Sequence, residues 1–311
     1  MKTIVTGGAG FIGSCITDYL IQEGFDVKVI DNLSTGNKDR VNPKAEFILA
    51  DVRTLKEIEP HFKDVDYVFH TAALPRILPS FEDPVLFHEV NVIGTLNCLV
   101  ASHKNKVKKF VYSASSSCYG NNFKIPTKES DKIEPLNPYA LQKYEGELYC
   151  KLFAEQFGLS TVSLRYFNVY GPGSFNEKDK YNAYSSVVEI FLTQRNNRKV
   201  LTITGDGNQK RDFIHVYDVA KANIAAMKSK TKKFDFFNIA FGKNYSVNYI
   251  AELISNKRTY MDPRPGEAKL TLADISKAKK LLNWKPLIDL EKGIEITEEE
   301  LKNDSMKTAN N

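Results

Sequence analysis

The sequence predicts a doubly wound α/β fold with a parallel sheet, and three observations carry that reading. Short apolar runs rich in Val, Ile and Phe alternate with helix-patterned segments through the first 170 residues. Those runs show little polar alternation, the pattern of strands covered on both faces. A glycine cluster, TGGAGFIG, stands between the first apolar run and the first helical segment. Alternation of this kind builds βαβ units with helices on both sides of one sheet.

Strands are expected at 3–7, 27–31, 46–51, 66–72, 109–115 and 160–169, and helices at 11–23, 54–62, 84–104 and 138–157. Asp83-Pro84 and Asn137-Pro138 open the last two helices, since proline suits the first helical turn. After Gly171 the pattern loosens into the loop GPGSFNEKDKYN, a helix at 183–195 and a strand at 200–204. The turn GDGNQK, a strand in DFIHV, a helix at 216–228 and the strand FDFFNIA follow. Two late helices, 274–282 and 289–301, precede a polar tail, and Trp284 is expected to pack one of them against a smaller lobe. The first domain is therefore drawn as 1–170, with segments returning to it at about 213–242; 171–212 and 243–311 form an interleaved C-terminal lobe.

Composition narrows the class. With 42% hydrophobic and 26% charged residues over 311 positions, the chain can bury a large core, and disorder is not expected. The longest apolar runs fall short of a bilayer span, and the N-terminus lacks a secretory pattern, so a cytoplasmic protein without a membrane partner is expected. Four scattered cysteines with no CxxC pair suit reduced thiols, not a disulfide frame or zinc site. His70, His88 and His215 are dispersed, so no metal role is expected; His215 reads as part of a packed strand. A net charge of +5 is modest, and the basic runs at 103–109 and 228–233 read as solvated helix ends, which leaves no case for nucleic acid.

Gly8, Gly10 and Gly13 fit G-x-G-x-x-G, and Gly7, Gly10 and Gly13 equally fit G-x-x-G-x-x-G, directly after a strand and opening a helix. Such a loop lets backbone approach a pyrophosphate, while the helix beginning near Phe11 offers amide groups and a positive dipole end. Asp31 closes the second strand 21 residues after Gly10. An acid there accepts from adenosine ribose hydroxyls and repels a 2′-phosphate, so the expected cofactor is NAD on a Rossmann-like sheet. Further along, Tyr139 and Lys143 lie four apart on one helical face. A phenol with a pKa of about 10 is a poor base at neutral pH unless a neighbouring cation lowers it. Lys143, joined by a positive nicotinamide ring, is expected to do that.

These residues complete a resemblance. TGGAGFIGS, DNLSTG, HTAALPR, NVIGTLN, SASSSCYG, PYALQK, LRYFNVYGP and TGDGNQKRDFIHVYDVA occur in the order found in extended short-chain dehydrogenase/reductases, among them the UDP-sugar 4-epimerases. The resemblance covers nearly the whole chain. It implies that Ser115 hydrogen-bonds the reacting hydroxyl, with Ser116 and Ser117 beside it. Tyr139 would be the base, and Lys143 would hold the nicotinamide ribose. Gly7, Gly10, Phe11, Ile12, Gly13, Asp31, Asn32, Gly36, Asp51, Val52, Ala72, Ala73, Asn91, Ser113, Tyr166 and Val169 would complete the cofactor contacts. Asn168, Arg211, Arg264 and Thr271 would hold the UDP-sugar, the two arginines gripping its diphosphate. The implied reaction oxidises C4 to a ketone, lets the sugar turn, and returns hydride to the other face. A homodimer through helices 84–104 and 138–157 is also implied.

Nucleotide-sugar 4,6-dehydratases resemble the chain overall but carry Thr-Asp-Glu where this sequence has Ser115-Ser116-Ser117, so elimination of water is not expected. A nucleotide-sugar reductase or decarboxylase, or a non-catalytic NAD-binding regulator, stays open at this stage. Pro75 replaces a common lysine, and Thr271 stands where enzymes restricted to glucose and galactose often carry tyrosine. The smaller residue predicts acceptance of UDP-N-acetylglucosamine and UDP-N-acetylgalactosamine.

Overall fold

The computed structural model describes residues 1–121, 124–174, 186–263 and 270–309, with side chains to 303. Its frame is a seven-stranded sheet in which every neighbouring pair is parallel. The strands are β1 (Lys2–Thr6), β2 (Asp26–Asp31), β3 (Glu46–Leu49), β4 (Tyr67–His70), β5 (Lys109–Ser115), β6 (Thr161–Tyr166) and, after four short strands elsewhere, β11 (Phe234–Ile239). Their spatial order is β11-β6-β5-β4-β1-β2-β3. From β1 the chain first winds outward through β2 and β3, then returns to β1's other flank with β4. That reversal leaves a crevice beyond the carboxyl ends of β1 and β4.

Successive strand residues point to opposite faces. Val5, Val29, Phe69 and Val111 pack in one apolar cluster with residues of α1 (Phe11–Gln22) and α8 (Val216–Lys228). Ile4, Ile30, Val68, Phe110 and Tyr112 pack in another with residues of α5 (Gly94–Lys104) and α6 (Pro138–Gln156). Both faces are therefore covered, which is why the strands read as unbroken apolar runs.

The expected helix at 54–62 is α2 (Leu55–Ile58) followed by a tighter turn at Glu59–Phe62, where Pro60 interrupts the α pattern. The expected helix at 84–104 is α4 (Pro84–His88), a wide π turn at Glu89–Ile93, then α5. Mean hydropathy along it reaches 1.3, so by length and composition it could cross a bilayer, which the reading of short runs missed; half of that stretch is buried in the fold. Just upstream, α3 (Ile77–Glu82) was not foreseen.

The strand expected at 160–169 breaks after Tyr166, and β7 (Val169–Tyr170) pairs instead with β10 (Ile214–His215). Three small sheets in all accompany the main one: β7 with β10, β8 (Leu201–Thr204) with β13 (Arg258–Met261), and β9 (Lys210–Asp212) with β12 (Asn244–Ser246). They share a third apolar cluster with α7 (Val187–Asn196), α9 (Val247–Ile254) and α11 (Leu290–Ala309). DFIHV is thus two short strands, and His215 caps α8 through the Tyr217 amide at 3.3 Å. The last helix runs on through the stretch expected to be a tail.

Trp284 departs from expectation. Following α10 (Ser276–Leu281), it packs in the main-sheet cluster and donates from Nε1 to the Asp218 carbonyl, 3.1 Å away. Among the basic residues, Lys109 is buried on β5, and its ammonium caps the end of α8 at the Ser229 carbonyl, 2.6 Å. All four cysteines are buried and free.

Candidate active site

The glycine loop follows β1. Gly7 has φ +71°, and a Cβ there would lie 2.6 Å from the Ala72 amide nitrogen. A Cβ on Gly13 would lie 2.2 Å from the Gly7 carbonyl oxygen, so α1 sits directly on its own loop. No side chain caps α1 at Gly10, and no acid occupies its first turn. A bare, positively polarised helix end therefore faces the crevice.

Asp31 ends β2. Its carboxylate accepts from the Ala9 amide (3.0 Å) and the Leu33 amide (2.8 Å). Burial lifts this carboxyl above its usual range, and the two amides offset part of the lift. Asn32 donates to Asp51 (2.9 Å), and Arg53 grips the same carboxylate at 2.8 Å. Burial pushes Asp51 up, but these bonds prevail and hold it down at about 2.

Gly7, Gly10, Phe11, Ile12, Gly13, Asp31, Asn32, Gly36, Asp51, Val52, Ala72, Ala73, Ser113, Tyr139, Lys143 and Tyr166 all line one cleft along the crevice. Two expected members do not. Asn91 lies behind the wall, where its amide accepts from the Leu74 N–H (2.8 Å) and donates to the Leu74 carbonyl (3.1 Å). Val169 faces the neighbouring cavity. Thr71, Leu74 and Arg40 also line the cleft, together with Gly173 and Ser174 from beyond β7.

The second cavity, about 710 Å³, opens between the sheet and the smaller sheets. Ser115, Ser116, Ser117, Asn168, Val169, Arg211 and Thr271 line it. Asn168 donates to the Thr271 hydroxyl (3.1 Å) and the Asp212 carbonyl (3.0 Å), and the Asp212 amide donates to the same hydroxyl (3.1 Å). Asp212 itself is buried and accepts from the amides of Phe241, Gly242 and Ala273, which bolts the segment carrying Thr271 in place. Arg264 lies outside the described residues.

Pro75, Ser115, Tyr139 and Tyr166 line both cavities. At this junction the Ser115 side chain stands near the Tyr139 phenol, and its hydroxyl is hydrogen-bonded to Ser117 Oγ at 2.8 Å. Tyr139 stands in the first turn of α6, where Asn137 caps the helix through the Ala140 amide (2.9 Å). Its own amide donates to Ser80 Oγ (3.2 Å). One turn on, the buried Lys143 ammonium lies 4.5 Å from the Tyr112 ring centroid. Burial pushes Lys143 down to about 7. Burial also raises the Tyr139 phenol, which Ser115 offsets in part. The expected lowering of Tyr139 is thus not achieved by the side chains alone, because burial outweighs the influence of Ser115.

Over residues 3–240 the sequence matches the NAD dependent epimerase/dehydratase family. The chain belongs to that family. A UDP-glucose 4-epimerase from Thermotoga maritima, solved with UDP-glucose, superposes with a TM-score of 0.92 at 37% identity, covering 98% of this chain and 99% of the other. A UDP-N-acetylglucosamine 4-epimerase from Methanobrevibacter ruminantium, solved with UDP-N-acetylmuramic acid, gives 0.90 at 38% identity over 97% and 98%. A Methanocaldococcus jannaschii protein provisionally named UDP-glucose 4-epimerase is 42% identical over 97% of this chain and 99% of its own.

NAD is the family's cofactor, and the cleft suits it. Gly10 to Gly13 would take the pyrophosphate and Asp31 the adenosine ribose, with no space for a Cβ where Gly7 and Gly13 close the loop. Among the described residues, Glu82 is the one acid lining the second cavity. Sequence reasoning missed Arg76, which lines this cavity at φ +105°. Nothing in an arginine's identity announces such a backbone.

Proposed function

We propose that the protein inverts C4 of a UDP-hexose through a transient 4-keto sugar. The observation that carries this reading is that Ser115 and Tyr139 both stand at the wall shared by the two cavities. Ser115 orients the C4 hydroxyl and Tyr139 takes its proton as the C4–H bond breaks. Bound NAD supplies what the side chains lack, a reversible hydride acceptor whose positive ring also favours the phenolate. Lys143 holds the nicotinamide ribose. Arg211 fixes the diphosphate, and Arg264 is proposed to share that work. A cavity of about 710 Å³ leaves the ketone room to turn about that anchor before Tyr139 returns the proton.

The proposed sugars are the UDP-N-acetylhexosamines, with UDP-glucose and UDP-galactose as further substrates, because Thr271 leaves space in the sugar cavity. We further propose a cytoplasmic homodimer. The test is direct: the purified protein should contain NAD and interconvert C4-epimeric UDP-sugars. Tyr139→Phe should lose at least about 10³-fold in kcat with its NAD retained. Wild-type speed in that variant, or a 4-keto-6-deoxy product from the native protein, overturns the proposal.

A further inference from the structure

Arg165 lines neither cavity, yet it touches the supports of both halves of the reacting pair. It sits on β6 with its side chain 3% exposed, and its partner Glu147 on α6 is 5% exposed. Nε donates to one Glu147 oxygen at 2.9 Å, and Nη2 donates to the other. Nη1 turns the other way and donates to the Tyr119 hydroxyl at 2.7 Å. Tyr119 closes the turn that begins with Ser116, directly after Ser115. Its hydroxyl in turn donates to Asn238 Oδ1 (2.7 Å), on the neighbouring strand β11. The guanidinium lies 4.9 Å from the Tyr119 ring centroid and 4.4 Å from that of Phe236.

We infer that Arg165 is a positioning residue: its fork fixes the helix carrying Tyr139 and Lys143 relative to the turn carrying Ser115. Glu147 lies one helical turn beyond Lys143, on the same face, so the grip reaches the active-site end of α6 through a rigid element. A buried ion pair is a poor device for stability alone, since matched apolar side chains often do as well or better. A planar two-armed donor is instead a good device for holding two segments at a fixed separation and angle. Ser115 and Tyr139 must meet one substrate hydroxyl together, and a misplacement of about 1 Å at such a pair costs roughly 10²-fold in rate.

The inference rests on the epimerase reading, and its test separates the two. Tyr119→Phe keeps the ring over the guanidinium and removes one arm; the Glu147→Met/Arg165→Met double variant replaces the ion pair by apolar chains of similar volume. Expected are a fall in kcat of about 10-fold for the first and about 10²-fold for the second, with KM within about two-fold and NAD content unchanged. Arg165→Lys, keeping the charge without the fork, should not restore the rate. Loss of activity that tracks Tm or NAD content, or a double variant within two-fold of the native kcat, overturns the inference. Crystal structures with NAD bound give a readout independent of the reaction. The Ser115–Tyr139 hydroxyl separation in the double variant should differ from the native one by about 1 Å, and an unchanged separation refutes the role even for a protein that epimerises nothing.

Discussion

Lys143 is the residue whose burial costs the fold most visibly. Its ammonium ordinarily titrates near 10.5, and burial brings it to about 7, offset only in part by nearby groups, with the Tyr112 ring face 4.5 Å away. Between those values the unfolded chain binds the proton that the folded chain has released, so stability rises as pH climbs from about 7 towards 10.5. Lys143→Met in NAD-free protein should raise Tm by a few degrees at pH 7, and the gain should vanish by about pH 10, measured by calorimetry at one scan rate. A lower Tm at pH 7 contradicts the burial argument. Thr271 poses a different question at this scale. Its hydroxyl accepts from both Asn168 and Asp212, so Thr271→Tyr removes two bonds as well as space. Turnover of every sugar should suffer, but kcat/KM for the N-acetylated pair should fall about 10-fold further. Equal loss on both pairs overturns the size argument. At single positions the sequence was legible where chemistry is local: Asp31, Ser115, Tyr139 and Lys143 all face the cleft. It was not legible for Asn91, whose amide is spent on the Leu74 backbone, nor for the backbone sign at Arg76.

At the scale of elements, glycine loop and first helix form one unit. Gly13→Ala drives a methyl into the Gly7 carbonyl, and neither backbone segment can yield without parting loop from helix. The purified variant should carry less than about a tenth of the native NAD content, assayed after denaturation, since this close approach is what seats a pyrophosphate. Native content in that variant removes the steric argument. The sheet strands and the helices α1, α5, α6 and α8 around this unit were readable because each covers a strand face or a full helical stripe. Two short pieces were not: α3 spans 6 residues with Pro79 inside it, and the 4 residues of β13 are all exposed, so neither shows an apolar period. The break after Tyr166 escaped notice because Phe167 to Tyr170 is as apolar as the strand before it, and only its pairing partner differs.

The molecule as a whole brings six strand ends to one crevice, so residues from Gly7 to Tyr166 converge although the chain scatters them. Its outer surface carries a second message. Leu141, Leu148 and Leu152 on α6 are 47%, 46% and 44% exposed, and Val85 and Ile93 along the adjoining helix are 69% and 39% exposed. Such a stripe is better covered than wet. Sedimentation at micromolar concentration should find two chains per particle, and Leu148→Glu/Leu152→Glu should split them; a native monomer rules this out. The wide turn between α4 and α5 links the outer surface to the inner one. It squeezes a surplus residue into the coil, and just there Val90 reaches the cofactor wall while Asn91 clasps Leu74. A tidier coil would hold itself together better and would swing those two side chains out of phase. Here the chain tolerates a local flaw in regular geometry, and a well-shaped groove is the return.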